Sequence, residues 1–477
     1  MLVTRLRSLR DDQGSALLLV VLLAVILAML ATLLVEVVQA DETRSTRAVQ
    51  EDASLQAAEA GIDNYVSKLV DDNQFYLHDV AAGESSRKSG TNPVVSSSCS
   101  GTPTPATWTY GITWTYPNGK DQWCSLGNGY EYNLQVSGTS SSSNVVDIVA
   151  TGRKTGTTTQ TRILEEQIRP SSVADFQMLA NADIAYGATA TTYGKIYAGI
   201  DSSNVKHNID HQGTAYGNLY AEGSITGSPT MMNGAQKYTS ANIRTVIKQP
   251  IQFSNFTTSL TDINRAATLT GTAYNDASAV AWKLTFNGSG TVDVAKCTSL
   301  ASGQAIEMAA PTCNAPTTIN VPAKGAMYFQ QSVIVAGGTS TCGSPAVTGN
   351  CVNGRVTVAS ANDIVVATNI DYMQPGDDVL GLIAASEVIV AKWAPNNINW
   401  RAATIAQTGQ WRSAVSTQSK GTAVFTGSTA TNGGGYMSMY ATRVYNYDST
   451  LSYLQPPWFP TIDFAYTVLL YRELPAP

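Results

Sequence analysis

The sequence predicts an α+β protein. One long N-terminal membrane-spanning helix is followed by a mainly-β head, in which a sheet packed on the helix is interrupted by an inserted β-solenoid. Three observations carry that prediction. Residues 16–35 form an Ala/Leu/Val/Ile/Met run with no charge and one hydroxyl, Thr32, long enough for one bilayer crossing at ~1.5 Å rise per residue. Helix-compatible sequence then continues from Ser15 to Ala60 with neither Gly nor Pro. Further on, short β-branched segments recur at shifts of 23, 24 and 31 residues, as stacked coils require.

Composition sets the frame for these elements. The chain has 477 residues, enough for more than one structural unit and a large core, which excludes a small disulfide scaffold. Charged residues make up 13%, against ~25% in ordinary soluble domains. With 29 Lys and Arg against 35 Asp and Glu, no basic excess advertises a polyanion ligand.

The helix is justified by its flanks and its far end. Arg5, Arg7 and Arg10 precede the apolar run, so the positive-inside bias keeps the amino terminus cytoplasmic and sends everything beyond residue 36 outward. The run is longer than the apolar core of about 7–15 residues in a secretory signal peptide. In the outer half, Leu55, Ala58, Ile62, Tyr65 and Leu69 recur at spacings of 3 and 4, one stripe for packing on a folded head.

These residues also carry a family resemblance. Gln13-Gly14-Ser15-Ala16-Leu17-Leu18-Leu19 resembles the site cut by prepilin peptidase, where a basic leader ends in Gly and the apolar helix starts at once. Leu55-Gln56-Ala57-Ala58-Glu59-Ala60-Gly61 resembles the AAEAG signature that closes the first helix of PilX-type minor pilins of type IV pili and related pseudopilins. The resemblance covers roughly residues 5–70. It implies a leader over 1–14 cut between Gly14 and Ser15, and a pilin helix over 15–70. The 15–35 part of that helix, including Leu17, Leu18, Leu19 and Val20, lies in the membrane before assembly and in the filament core afterwards. The implied partners are prepilin peptidase, the membrane and other pilins. Major pilins carry Glu at the fifth mature position, where this chain has Leu19. That difference and the size of the head imply a tip subunit on an extracellular pilus rather than a repeating one, made first as a single-pass protein of the cytoplasmic membrane.

The head divides by pattern. Residues 81–106 are rich in Ser, Gly and Pro and read as a loop. Residues 108–116, 130–136, 145–153 and 161–168 read as strands, the last two a hairpin about 154–157, opening a pilin-like head over 71–174. From 175 to 395 the repeats dominate. Tyr193-Gly194-Lys195-Ile196-Tyr197-Ala198 returns as Tyr216-Gly217-Asn218-Leu219-Tyr220-Ala221, while Ser332-Val333-Ile334-Val335-Ala336 returns at 362–367 and again at 386–391. This stretch is the expected solenoid, and 396–477, with strands at 436–445 and 464–471, is expected to complete the head. Six cysteines without a CxxC motif suggest disulfides outside the membrane. The smallest loops pair Cys99 with Cys124, Cys297 with Cys313 and Cys342 with Cys351.

The chemistry expected of the head is binding rather than catalysis, with no cofactor and no metal. His207 and His211 lack a third ligand in sequence and read as loop residues. Pro375-Gly376-Asp377-Asp378 carries the paired carboxylates of polysaccharide-acting solenoid enzymes, but without their partner motifs it reads as a turn between coils. Tyr186, Tyr193, Tyr197, Tyr216 and Tyr220 would form either a stacked ladder for sugar rings or bases, or core filler. Lys195, Lys206 and Lys237, or Arg401, Arg412 and Lys420, are the cations that such a surface could use. The candidate ligands are extracellular DNA, a glycan or another surface, and a tip DNA receptor for natural transformation is one version of that reading.

Overall fold

The computed structural model describes residues 8–71, 86–88, 108–109, 114–116, 123–138, 145–157, 160–188, 190–247, 249–251, 253 and 256–475. One helix, Ser8–Asp71, runs unbroken through the apolar segment and into the head. Its inner part projects free of the rest of the chain, with Leu17, Leu18, Leu19 and Val20 62–70% exposed. It is long and apolar enough to cross a membrane.

The outer part of the helix packs on a six-stranded antiparallel sheet. Strands Trp114–Tyr116, Tyr130–Gly138, Val146–Lys154 and Arg162–Ser172 follow one another across it, Cys124–Ser125 pairs beside Tyr130–Gly138, and the last strand of the chain, Thr461–Leu474, closes the far edge. Alternation does the work of orientation here. Val146, Ile148 and Ala150 are buried toward the helix beside Leu134, Leu164 and Ile168, and Ala58, Ile62 and Tyr65 fill the space opposite. Burying an aliphatic side chain of this kind contributes about 1.5–3 kcal/mol. The expected loop over 81–106 lies almost wholly outside the described residues, which include only Ser86–Lys88 from it, a short strand paired with Trp108–Thr109.

Between residues 172 and 461 the chain builds large parallel sheets. Along the main path of the widest, the order is Lys237–Tyr238, Leu219–Ala221, Lys195–Ala198, Phe176–Ala180, Lys420–Thr431, Ile398–Ala406, Val379–Ala384, Arg355–Ser360, Ala326–Phe329 and Ala273–Tyr274. The chain therefore enters at the middle of this sheet. It builds a short arm outward to residue 238, crosses back through helix Phe256–Thr270, restarts at the opposite end with Ala273, and returns coil by coil to meet its own beginning. The two arms join where Thr429, Ala430 and Thr431 pair in parallel with Met178, Leu179 and Ala180.

The repeats seen in the sequence are in-register neighbours: Ile196 pairs with Leu219, Ile364 with Val388, and Val333 with Ile364. The boundary expected at 395 is corrected, because parallel pairing continues through Ile398–Ala406 and Lys420–Thr431 to Tyr440–Asn446. Among the described residues of the tail, only Thr461–Leu474 joins the antiparallel sheet. These late coils use Ala, Thr and Gly in place of the Ile/Val runs of the earlier ones, so no repeat betrays them.

The widest sheet is covered on both faces. One face lines the coil interiors, while Leu260, Ile263, Ala266 and Ala267 of the crossing helix, with Leu451, Leu454, Trp458 and Phe459 of the exit segment, cover the other. Two-sided burial explains why all six residues of Val379–Ala384 are buried. Entry and exit are tied together at the antiparallel sheet. Arg169 and Asp175 form an almost fully buried ion pair at 2.7 Å, and the Ser172 hydroxyl donates to the Pro460 carbonyl at 3.0 Å.

Candidate functional site

The helix signature acquires a physical meaning from its contacts. Ala57 and Ala58 are fully buried, and a Cβ placed on Gly152 of the facing strand would lie 2.0 Å from the Ser54 carbonyl and 2.6 Å from the Ala58 nitrogen. Helix and strand backbones thus meet at a point where only glycine and small residues fit. Gly61 faces the Tyr132 ring, Ala60 is half-buried, and Glu59 points outward, where it accepts a hydrogen bond from the Tyr471 hydroxyl at 3.1 Å. Arg162 extends the same clasp, pairing with Glu51 of the helix at 3.5 Å and with Glu473 of the last strand. Gly14 and Ser15 lie within helix Ser8–Asp71.

The tyrosine ladder divides into two environments. Tyr193 and Tyr216 stack on the outside, with ring centroids 5.0 Å apart and planes at 13°, and Tyr193 is 54% exposed. Gly217, next to this pair, passes so close to the coil before it that a Cβ would meet the Gly194 carbonyl oxygen at 2.1 Å. Tyr197 and Tyr220 are core residues, correcting their place among the ligand-facing candidates: they lie on the sheet face that the crossing segment covers, edge-on to Phe176. The Tyr197 hydroxyl donates to Glu222 Oε1 at 2.7 Å and accepts from the Ile251 nitrogen. Burial, with Glu222 alongside, pushes its pKa far up and keeps it a donor. Glu222 is itself buried and pairs with Arg244 from the crossing segment. Tyr186, half-buried, lies tilted at 36° against the buried His211 ring, with centroids 5.1 Å apart.

The cations fare differently from expectation. Lys195 is exposed on the strand beside Tyr193, and Lys206 and Lys237 are exposed as well. Arg401, Arg412 and Lys420 form no open basic patch. Arg401 contacts Asp371 and Asp448 at 3.4 and 3.8 Å, and Arg412 pairs with Glu387 at 2.5 Å and reaches Glu307 at 4.0 Å. Lys420 donates to the Ala394 carbonyl at 2.6 Å, its pKa lowered by burial. The cause is the parallel stacking, which brings carboxylates of other coils against the two arginines and a backbone carbonyl against Lys420.

His207 lies between Asp183 and Asp201 at 3.3 and 3.4 Å, whereas His211 is buried with Nε2 3.1 Å from the Thr192 hydroxyl. No group of His, Cys, Asp and Glu suited to hold a metal occurs among the described residues. Asp378 accepts from the Gly354 and Gln374 nitrogens at 2.6 and 2.7 Å and so closes a turn; burial raises its pKa. Cys297–Cys313 and Cys342–Cys351 are bonded, and Cys124 carries a disulfide, while Cys99 lies outside the described residues.

One cleft was invisible to motif reasoning. It is lined by Lys283, Asp293, Asn314 and Trp393 among others. The usable signal was local: Lys283 and Thr285 flank buried Leu284 on one strand, and Asp293 stands between buried Val292 and Val294 on its neighbour.

No family model and no curated protein matches the chain. Among solved structures it is similar to the competence-associated pilin ComZ from Thermus thermophilus, at 13% identity and a TM-score of 0.25, over 89% of this chain and 97% of that one.

Proposed function

We propose that the chain is a minor pilin of a type IV pilus or related filament, made as a membrane-anchored precursor and cut by prepilin peptidase between Gly14 and Ser15. It takes its place at the tip, and there initiates assembly and presents the parallel stack as a β-solenoid binding module for adhesion or ligand capture. The observation that carries this reading is the division of one continuous helix. Its outer part is locked by Ala57, Ala58 and Gly152 onto an antiparallel sheet, while its inner part exposes an apolar surface that must be covered by lipid or by other helices. Leu19 in place of a carboxylate, and an inserted head spanning residues 172–461, favour the tip over a repeating lattice position. In cells making the filament, Gly14→Val should leave the chain in the membrane and remove it from sheared filaments; recovery of the variant in filaments at the wild-type level would refute the proposal.

A tip DNA receptor is the second reading, favoured by the exposed Tyr193–Tyr216 stack beside Lys195. Against it stand the internal engagement of Arg401, Arg412 and Lys420 and a balance of 11 basic to 14 acidic residues over 175–395. Loss of oligonucleotide binding by Tyr193→Ala together with Tyr216→Ala would support it.

A further inference from the structure

A cleft of about 400 Å³ opens on the long arm between strands Ala281–Phe286, Thr291–Ser299 and Val333–Val335, under the loop 301–316 and beside Trp393. Its floor is set by strand register. Lys283 pairs with Ala295 and Thr285 with Asp293, so the cation and the carboxylate share one face a diagonal step apart. No ion pair joins them, and Lys283 Nζ makes no hydrogen bond with a described residue. Asp293 accepts from the Thr318 hydroxyl through Oδ1 alone. Ala295, Ala336 and Gly337 keep the floor low between the polar groups.

The roof is held from two sides. The Cys297–Cys313 disulfide ties one end to the sheet. At the other, the Trp393 indole N–H donates to the Ile306 carbonyl at 3.1 Å and the Lys392 nitrogen donates to the Glu307 carbonyl at 2.8 Å. The cleft is therefore formed before any ligand arrives, which lowers the entropic cost of binding. With its one polar atom engaged, Trp393 offers only carbon surface to the cleft, as do Pro311, Pro316 and Ile334.

This set of groups selects its ligand by chemistry. An apolar ligand would strand a cation and a carboxylate away from water. A polyanion would meet Asp293, and a polycation Lys283. A neutral sugar ring fits both, because its hydroxyls accept from an ammonium, donate to a carboxylate and exchange bonds with the Asn314 amide, while its C–H face packs on an indole. The geometry points to a binding site for a neutral saccharide unit of an extracellular glycan, in a space of the usual size for small ligands. The site stands apart from Tyr193 and Tyr216; that its glycan is extracellular rests on the proposed outward placement of the head, whereas sugar binding itself does not.

The test uses the full-length chain in a detergent without a sugar headgroup, with cellobiose, lactose and diacetylchitobiose as probes. Binding is read by saturation-transfer NMR and by tryptophan fluorescence. At least one disaccharide should bind saturably. Lys283→Met and Asp293→Asn should each weaken it by about tenfold, the loss of one charge-assisted hydrogen bond. Ala310→Trp, a substitution on the exposed rim, should block binding with an unchanged melting temperature, and Tyr193→Ala should leave it intact. The proposal is overturned if none of the three sugars binds saturably, if Ala310→Trp binds as well as the wild type, or if glucuronate or an oligodeoxynucleotide is taken into the cleft in preference.

Discussion

In the short arm, residues 176–238, strands are two to five residues long, and the coil interior among the described residues holds eight buried apolar side chains, four of them Ala. In the long arm, residues 273–446, strands reach twelve residues, the interior cluster holds thirty-nine, and two disulfides cross-link its loops. Both arms are runs of parallel coils within the same sheet, so backbone pairing does not distinguish them. What differs is apolar area per coil and the constraint on loops. With fewer buried contacts per coil and no disulfide among its described residues, the short arm should be the end that opens at lower free energy. Amide exchange faster in 184–231 than in 333–406 would express this directly.

The largest effects should come from the long arm's interior. Phe329→Ala, at a fully buried position stacked on Tyr274 at 4.7 Å, should cost about 3–5 kcal/mol in urea unfolding; a cost no greater than that of Leu219→Ala in the short arm would break the comparison. Removing the Cys297–Cys313 bond, which closes a separation of 16 residues, should cost about 3 kcal/mol on the chain-entropy account and raise exchange in the long arm alone. In the short arm, the crossing segment is pinned by Glu222. Arg244→Ala leaves that buried carboxylate with the Tyr197 hydroxyl and should cost about 2–3 kcal/mol, more than Tyr197→Phe at about 1–2 kcal/mol.

Acid should sharpen the contrast further. Burial is the main cause holding His211 below its ordinary 6.5, with Lys237 acting in the same direction and Asp210 opposing. The unfolded chain then binds the proton more tightly than the folded one. The histidine's contribution to stability is complete above 6.5 and is lost as the pH falls below it toward the folded value. The protection of the short arm's amides, corrected for the intrinsic exchange rate at each pH, should therefore fall on acidification, and His211→Gln should flatten that dependence; an equal fall in the variant would assign the effect elsewhere. The smallest change is expected from Tyr193→Ala, within about 0.5 kcal/mol, because its ring lies on the surface.

The helix, its apolar length and its packing stripe were legible in the sequence because each depends on neighbours three or four residues away. The same holds for the coils with Ile/Val repeats, whose period survives in the residues themselves. The late coils were not legible: Gly427, at φ 144°, and its Ala and Thr neighbours fit a sheet crowded on both faces, and they leave no hydrophobic period to read. Nor could the sequence separate Tyr193 from Tyr197. They are four residues apart in one repeat, and only the crossing segment, 54 residues beyond Tyr197 at Ile251, covers one and leaves the other in water.

The sequence by itself determined a long apolar helix, a β-rich head and stacked repeats, since local pattern dictates which faces must be buried. Tertiary structure alone decided that the chain starts its widest sheet in the middle and returns to close it. It also decided that Arg401 and Arg412 meet carboxylates from other coils and Lys420 the Ala394 carbonyl, and that Lys283, Asp293 and Trp393 share a cleft. Those outcomes rest on contacts between residues tens to hundreds of positions apart, and no local period encodes which coil will lie beside which.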